Sequence, residues 1–210
     1  MLTQQSHPKL WLLFQYFFGG NKDKKRIVFS YLGNKRKILE IGCSLGVVAK
    51  EFIEQPSVQY LGIDIDQNAI NYCSMNLSRS HMRFENISLR DLVAKGEKFD
   101  YVIFANILHH VDDVLAIELM GDSKELLQNG GRILFMEPDT LHGDENFLMR
   151  QLYKLERGEY RRPLNNLTSM ISDAKLEIIE AKSSYNSIGM LPMLNCGRII
   201  EILAKNPDNF

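Results

Sequence analysis

From residue 37 onward the chain alternates brief apolar runs with stretches whose apolar positions recur at helical spacing. The runs at 38–41, 60–64, 82–86, 101–105 and 133–137 predict strands covered on both faces, as in a parallel sheet between two helix layers. Between them, 46–53 is short and apolar, and 67–77 carries Ile70, Cys73 and Leu77 at helical spacing. The stretch 112–127 runs from an acidic start to a stop at Gly130-Gly131, and all three stretches predict crossover helices. After Glu137 the alternation loosens. A polar, turn-rich 138–144 leads to a helical pattern over 145–156, and two further strands are predicted at 176–181 and 198–204. Near the start, Leu10, Leu13, Phe14, Phe17 and Phe18 fall on one helix face, which predicts an amphipathic N-terminal helix docked on the domain as a cap.

The 210 residues fit one globular domain with small additions: a helical cap over 1–36 and the main domain over 37–210, within which 142–175 reads as an insertion. The fold class that follows is a doubly wound α/β domain with helices on both faces of a mainly parallel sheet. Lys+Arg 25 against Asp+Glu 26 leaves a net charge of −1, so no basic field supports a nucleic-acid partner. Cys43, Cys73 and Cys196 are widely spaced with no C-x-x-C, which fits a reduced cytoplasm better than a disulfide framework. The apolar run at 10–18 is too short to span a bilayer and is followed by no cleavage-site pattern, so membrane insertion is not expected.

The sharpest chemical signal is Glu40-Ile41-Gly42-Cys43-Ser44-Leu45-Gly46, where a strand runs into a turn of small residues before a helical stretch. Glycine lets such a turn reverse sharply and approach a ligand, while free N–H groups face the same point. Gly62-Ile63-Asp64 closes the next strand, placing a carboxylate that can accept both hydroxyls of a ribose; Asp66, directly before the helical 67 stretch, suits helix capping better. A dinucleotide turn starting at Gly42 would need glycines at 44 and 47, which hold Ser44 and Val47.

The spacing Gly42-x-Ser44-x-Gly46 behind Glu40 resembles the first motif of the class I S-adenosylmethionine-dependent methyltransferases, with Ser44 where the middle glycine usually stands. The resemblance covers roughly residues 11–205 and implies a seven-stranded Rossmann-like sheet with one antiparallel strand near its C-terminal edge. It implies that Glu40, Gly42, Cys43, Ser44 and Gly46 line the cofactor and that Asp64, with Ile65 beside it, holds the ribose. Asn86 and Ile87 would meet the adenine, and Ala105 and Asn106 the methionine part. S-adenosylmethionine is the implied cofactor and S-adenosylhomocysteine the product. The chemistry is methyl transfer to an oxygen, nitrogen or carbon of a small molecule, and no Asn/Asp-Pro-Pro-aromatic motif of base methylases follows the fourth strand.

His109 and His110 are the catalytic candidates, since imidazole can take a proton from a hydroxyl or amine; adjacent side chains are expected to diverge, so at most one faces substrate. Some relatives in the family hold a divalent metal with E-x-x-E-H at this exit. Here the positions read Asn106-Ile107-Leu108-His109-His110, and even with Glu137 or His142 added, too few carboxylates remain, so no metal is expected. Tyr16, Arg26, Tyr153, Tyr160 and Arg161 are candidates for acceptor contact, and the arginines 157, 161 and 162 point to an anionic small molecule. The competing readings are a non-catalytic binding module on the same fold and a nucleotide-dependent oxidoreductase.

Overall fold

The computed structural model describes residues 21–143, 145, 147, 150, 158–185 and 197–208. The apolar N-terminal face (Leu10, Leu13, Phe14, Phe17, Phe18), Tyr16, Tyr153, Arg157, Cys196 and most of the 145–156 helical pattern lie outside these residues. The described chain begins with helix α1 (Asn21–Leu32) and strand β1 (Lys37–Ile41). There follow β2 (Gln59–Asp64), α2 (Gln67–Asn76), β3 (Met82–Asn86), α3 (Leu89–Ala94) and β4 (Phe99–Ala105). The chain continues through α4 (Asp113–Glu125), β5 (Leu127–Pro138), α5 (Leu164–Asp173), β6 (Glu177–Tyr185) and β7 (Arg198–Lys205).

The strands form one seven-stranded sheet in the order β3-β2-β1-β4-β5-β7-β6. β1 to β5 pair in parallel, while β7 runs antiparallel to both β5 and β6. Successive strand side chains point to opposite faces, so β4 divides between two cores: Val102 and Phe104 join one, Tyr101 and Ile103 the other. The first core is closed by Leu89 and Leu92 of α3, Ala116 and Met120 of α4, and Leu167, Met170 and Ile171 of α5. Ile27, Val28 and Leu32 of α1 and Ile70 and Cys73 of α2 close the second. The α5 helix, within the 142–175 stretch, thus belongs to the sheet's own helix layer.

Two helices begin as their sequences dictate: Asp66 accepts the Asn68 N–H before α2, and Asp112 accepts the Leu115 N–H before α4, each at 2.9 Å. The expected helix at 46–53 is instead a single 3-10 turn, Ala49–Phe52. Gly46 takes a left-handed φ of 71°, which keeps it out of a helix, and turn hydrogen bonds over 52–58 carry the chain into β2. The β4–β5 register moves from Phe99↔Leu127 to Tyr101↔Arg132, which absorbs the turn containing Gly130 and Gly131 as a bulge. Among the described residues, no helix is long and apolar enough to cross a membrane.

Candidate functional site

Strand order reverses between β1 and β4, so connections leave in opposite directions and open a crevice at the carboxyl ends of the strands. The G-x-S-x-G turn lies there. Gly42, Ser44 and Gly46 all have left-handed φ, at 68°, 49° and 71°. A Cβ on Gly42 would sit 2.4 Å from Ile107 Cδ1, and one on Gly46 would sit 2.3 Å from Leu77 Cδ1. These two glycines therefore make room for the protein's own packing as well as for the turn, beyond the open ligand face that the motif suggested.

Asp64 ties the turn to β2. Its Oδ2 accepts the Ser44 N–H at 2.8 Å and its Oδ1 the Asp66 N–H at 2.9 Å, while Cys43 N–H reaches the Ile63 carbonyl at 3.0 Å. A carboxylate has about four acceptor positions, so two remain for hydroxyls. Next to it, Asn86 donates to the Asp64 carbonyl at 2.9 Å, which orients its amide at the edge of the crevice. Ile65 is 84% exposed and Ile87 half-buried, giving apolar surface beside that amide. The Cys43 thiol is 2% exposed and is pushed up by its contact with Cys73 and by burial.

Glu40 faces the second core, where it accepts the Tyr60 hydroxyl in a short hydrogen bond. Burial pushes its carboxyl up to about 8, against the opposing pull of that bond and of the Lys24 charge. Lys24, on α1, is only 7% exposed. In the amide orientation its neighbours require, Asn106 donates to the Met136 carbonyl at 3.2 Å and accepts from Lys24 Nζ at 3.0 Å. Asn106 itself has φ 59°. Lys24 thus joins Glu40 and Asn106 from a helix whose sequence carries no motif, and sequence reasoning missed it. Arg26, a candidate for acceptor contact, instead reaches buried Glu201 at 3.4 Å and anchors α1 to β7.

At the exit of β4, Glu137 of β5 gathers the next turn. Its Oε1 accepts the N–H of Ile107 (2.9 Å) and Leu108 (2.8 Å), and its Oε2 takes His109 Nδ1 at 2.7 Å. Burial alone would raise this carboxyl; the His109 contact and the backbone N–H groups outweigh it and hold it below the ordinary range. His109 is 3% exposed, and a Cβ on Gly158 would lie 2.4 Å from its Cδ2. The His109 and His110 rings do not diverge: their centroids are 4.0 Å apart, with His110 on the exposed side. Arg162 is buried and donates to the carbonyls of Leu108 and Val111 and to Asp113, each at 2.7 Å. Its guanidinium therefore belongs to the exit turn. Tyr160 is 42% exposed, with its N–H on the His109 carbonyl at 3.1 Å, and Arg161 is half-buried. Among the described residues, no group of three or more His, Cys, Asp or Glu could hold a metal ion.

Residues 38–131 match the family model of the methyltransferase domain. A ubiquinone biosynthesis O-methyltransferase of Cereibacter sphaeroides is 30% identical over 97 residues, 45% of this chain and 38% of that protein. The chain spans less than half the length of the curated relatives it matches. Among solved structures, a SAM-dependent methyltransferase from Archaeoglobus fulgidus aligns with TM-score 0.67 at 15% identity, covering 93% of this chain and 99% of that one. Magnesium protoporphyrin IX methyltransferase from Synechocystis PCC 6803, solved with bound SAH, aligns with TM-score 0.66 at 16% identity, covering 90% and 85%. The turn held by Asp64 at the switch point, the family match and the shared seven-stranded sheet identify residues 38–131 as a methyltransferase domain of the class I S-adenosylmethionine-dependent kind.

Proposed function

We propose that the chain transfers a methyl group from S-adenosylmethionine to an oxygen of a small organic acceptor. The observation that carries this reading is the Asp64 carboxylate, fixed by two backbone N–H groups with acceptor positions to spare, beside the left-handed Gly42-x-Ser44-x-Gly46 turn. The residues present fit the cofactor. Asp64 accepts the ribose hydroxyls, Asn86 with Ile65 and Ile87 meets the adenine, and Ala105 and Asn106 line the sulfonium end. Lys24 gives the amino-acid carboxylate a cation already seated between Glu40 and Asn106. Cys43 supports the turn from beneath.

The cofactor supplies a methyl on a positively charged sulfur, so the displacement occurs at an already activated carbon. The protein's part is to align the acceptor oxygen with that carbon and exclude water. The exit turn does the aligning: Glu137, Arg162 and Gly158 lock residues 107–110 into one geometry. His109, enclosed by these contacts, holds the turn's shape. The oxygen specificity rests on the curated relatives' names.

Calorimetric titration with S-adenosylmethionine, S-adenosylhomocysteine and NAD(H) tests the cofactor. Both sulfur nucleotides should bind saturably, and Asp64→Ala should weaken them by about 2 kcal/mol through loss of the hydroxyl contacts and of the turn's anchor. Binding of NAD(H) alone, or of nothing, would reject the reading.

A further inference from the structure

We infer that His142, held by Asp139, is the general base that takes the acceptor's proton; this rests on the methyl-transfer reading above. Asp139 follows β5 at the carboxyl end of the sheet, two residues beyond Glu137. Whereas Glu137 reaches towards β4, Asp139 reaches the other way and is 1% exposed. Its Oδ1 accepts the Thr140 N–H at 2.8 Å; its Oδ2 accepts the Ser183 hydroxyl at 2.5 Å and His142 Nε2 at 3.0 Å. That arrangement puts the imidazole proton on Nε2 and leaves Nδ1 as an acceptor, which makes no hydrogen bond among the described residues. The ring is 37% exposed.

The backbone beneath the ring is fixed as well. Glu145 is buried, and its two oxygens accept the N–H of His142 at 2.8 Å and of Gly143 at 2.9 Å. Two buried carboxylates therefore fix His142, Asp139 at the ring and Glu145 at the backbone, at the end of the sheet where the cofactor turn opens. A histidine that only packs needs neither. His109 has a carboxylate partner too, but its ring is enclosed beneath Gly158, so it cannot reach an acceptor in this structure. Leu141, next to His142 in the chain, is 45% exposed, an apolar side chain available to an organic acceptor.

In the step, the acceptor O–H proton passes to Nδ1 while its oxygen forms the bond to the methyl carbon. The pair of the breaking carbon–sulfur bond stays on sulfur, Asp139 stabilises the imidazolium, and the proton later leaves to water.

Two measurements decide it. Catechol keeps its proton near neutral pH, whereas 4-nitrocatechol is largely ionised at mildly alkaline pH and needs no base. His142→Gln should lose about 100-fold in kcat on catechol, yet stay within about threefold of the parent on 4-nitrocatechol and bind S-adenosylhomocysteine as before. Independently of any acceptor, diethyl pyrocarbonate should modify His142 at Nδ1 faster than a free histidine peptide, and Asp139→Asn should slow that reaction severalfold. Equal losses on both acceptors, or a His142 reactivity no higher than the peptide's and indifferent to Asp139, would overturn the assignment. If the parent protein methylates neither probe, the reagent rates decide it. Failure of the parent to bind S-adenosylhomocysteine would instead overturn the methyltransferase reading itself.

Discussion

Gly46 combines two constraints that usually occur apart. Its φ of 71° is one that an L-residue adopts at a cost of about 1–2 kcal/mol, and the space a side chain would need is filled by Leu77 Cδ1 and Cys73 Sγ. Gly46→Ala should therefore destabilise the protein by about 3 kcal/mol, strain and overpacking together, seen as a lower urea midpoint at unchanged m-value. Ser44 accepts a similar φ but keeps its N–H on Asp64, which is why serine is tolerated at the middle position. At this scale the sequence was most legible at the turn, where the G-x-S-x-G spacing announces a sharp reversal and Gly42 and Gly46 take left-handed φ. It was least legible where an ordinary charged residue is buried. Arg162 reads in sequence as one of three arginines facing an anionic molecule and Lys24 carries no signal, because nothing in their local spacing reveals the carbonyls and amides that enclose them. The Glu137–His109 contact, 28 residues apart in sequence, exists because Ala105 and Met136 lie side by side in the β4–β5 register.

Among elements, the exit turn after β4 shows how a segment without regular structure becomes rigid. Glu137 holds it from one side and Arg162 from the other, so residues 107–113 are bracketed by charged groups from β5 and from the 158–163 segment. Arg162→Met should cost about 2–4 kcal/mol, because the buried Leu108 carbonyl and the part-buried Val111 carbonyl lose a charge-assisted donor, and should speed amide hydrogen exchange at 108–111 more than at β1. Uniform acceleration across both regions would mean that the turn has no separate stability. The strands were readable because a sheet buried on both faces needs continuous apolar runs, and observed strands begin or end within a few residues of those runs. The helix α3 was not, since Leu89–Ala94 is too short to display a helical period. The apolar side chains of α5 sit in a stretch whose turn-rich approach obscured the pattern.

For the whole molecule, the buried Glu40 makes stability depend on pH. Its folded value of about 8 lies above the ordinary 4.5, so between these limits the folded state binds more protons than the unfolded one and stability falls as pH rises. The contribution is present below about 4.5 and lost as pH climbs through about 8, with a slope of at most about 1.4 kcal/mol per pH unit. Thermal unfolding of Glu40→Gln should show a flatter Tm profile between pH 5 and 8 than the parent; an unchanged profile would mean that Lys24 keeps the carboxylate ionised.

The sheet order sets when the sheet itself can be completed. β7 lies between β5 and β6, so the strand of this sheet that is made last is an inner one. Until residues 198–205 emerge, β5 has an open outer edge and β6 has no partner in the sheet. The half that carries the cofactor turn is synthesised and paired early, through β1, β2 and β4. The other half, where Asp139 meets Ser183 across β7, must wait for β7. A ribosome-bound chain halted before residue 198 would thus display a paired half beside an unfinished one, its exposed strand edge a target for chaperones.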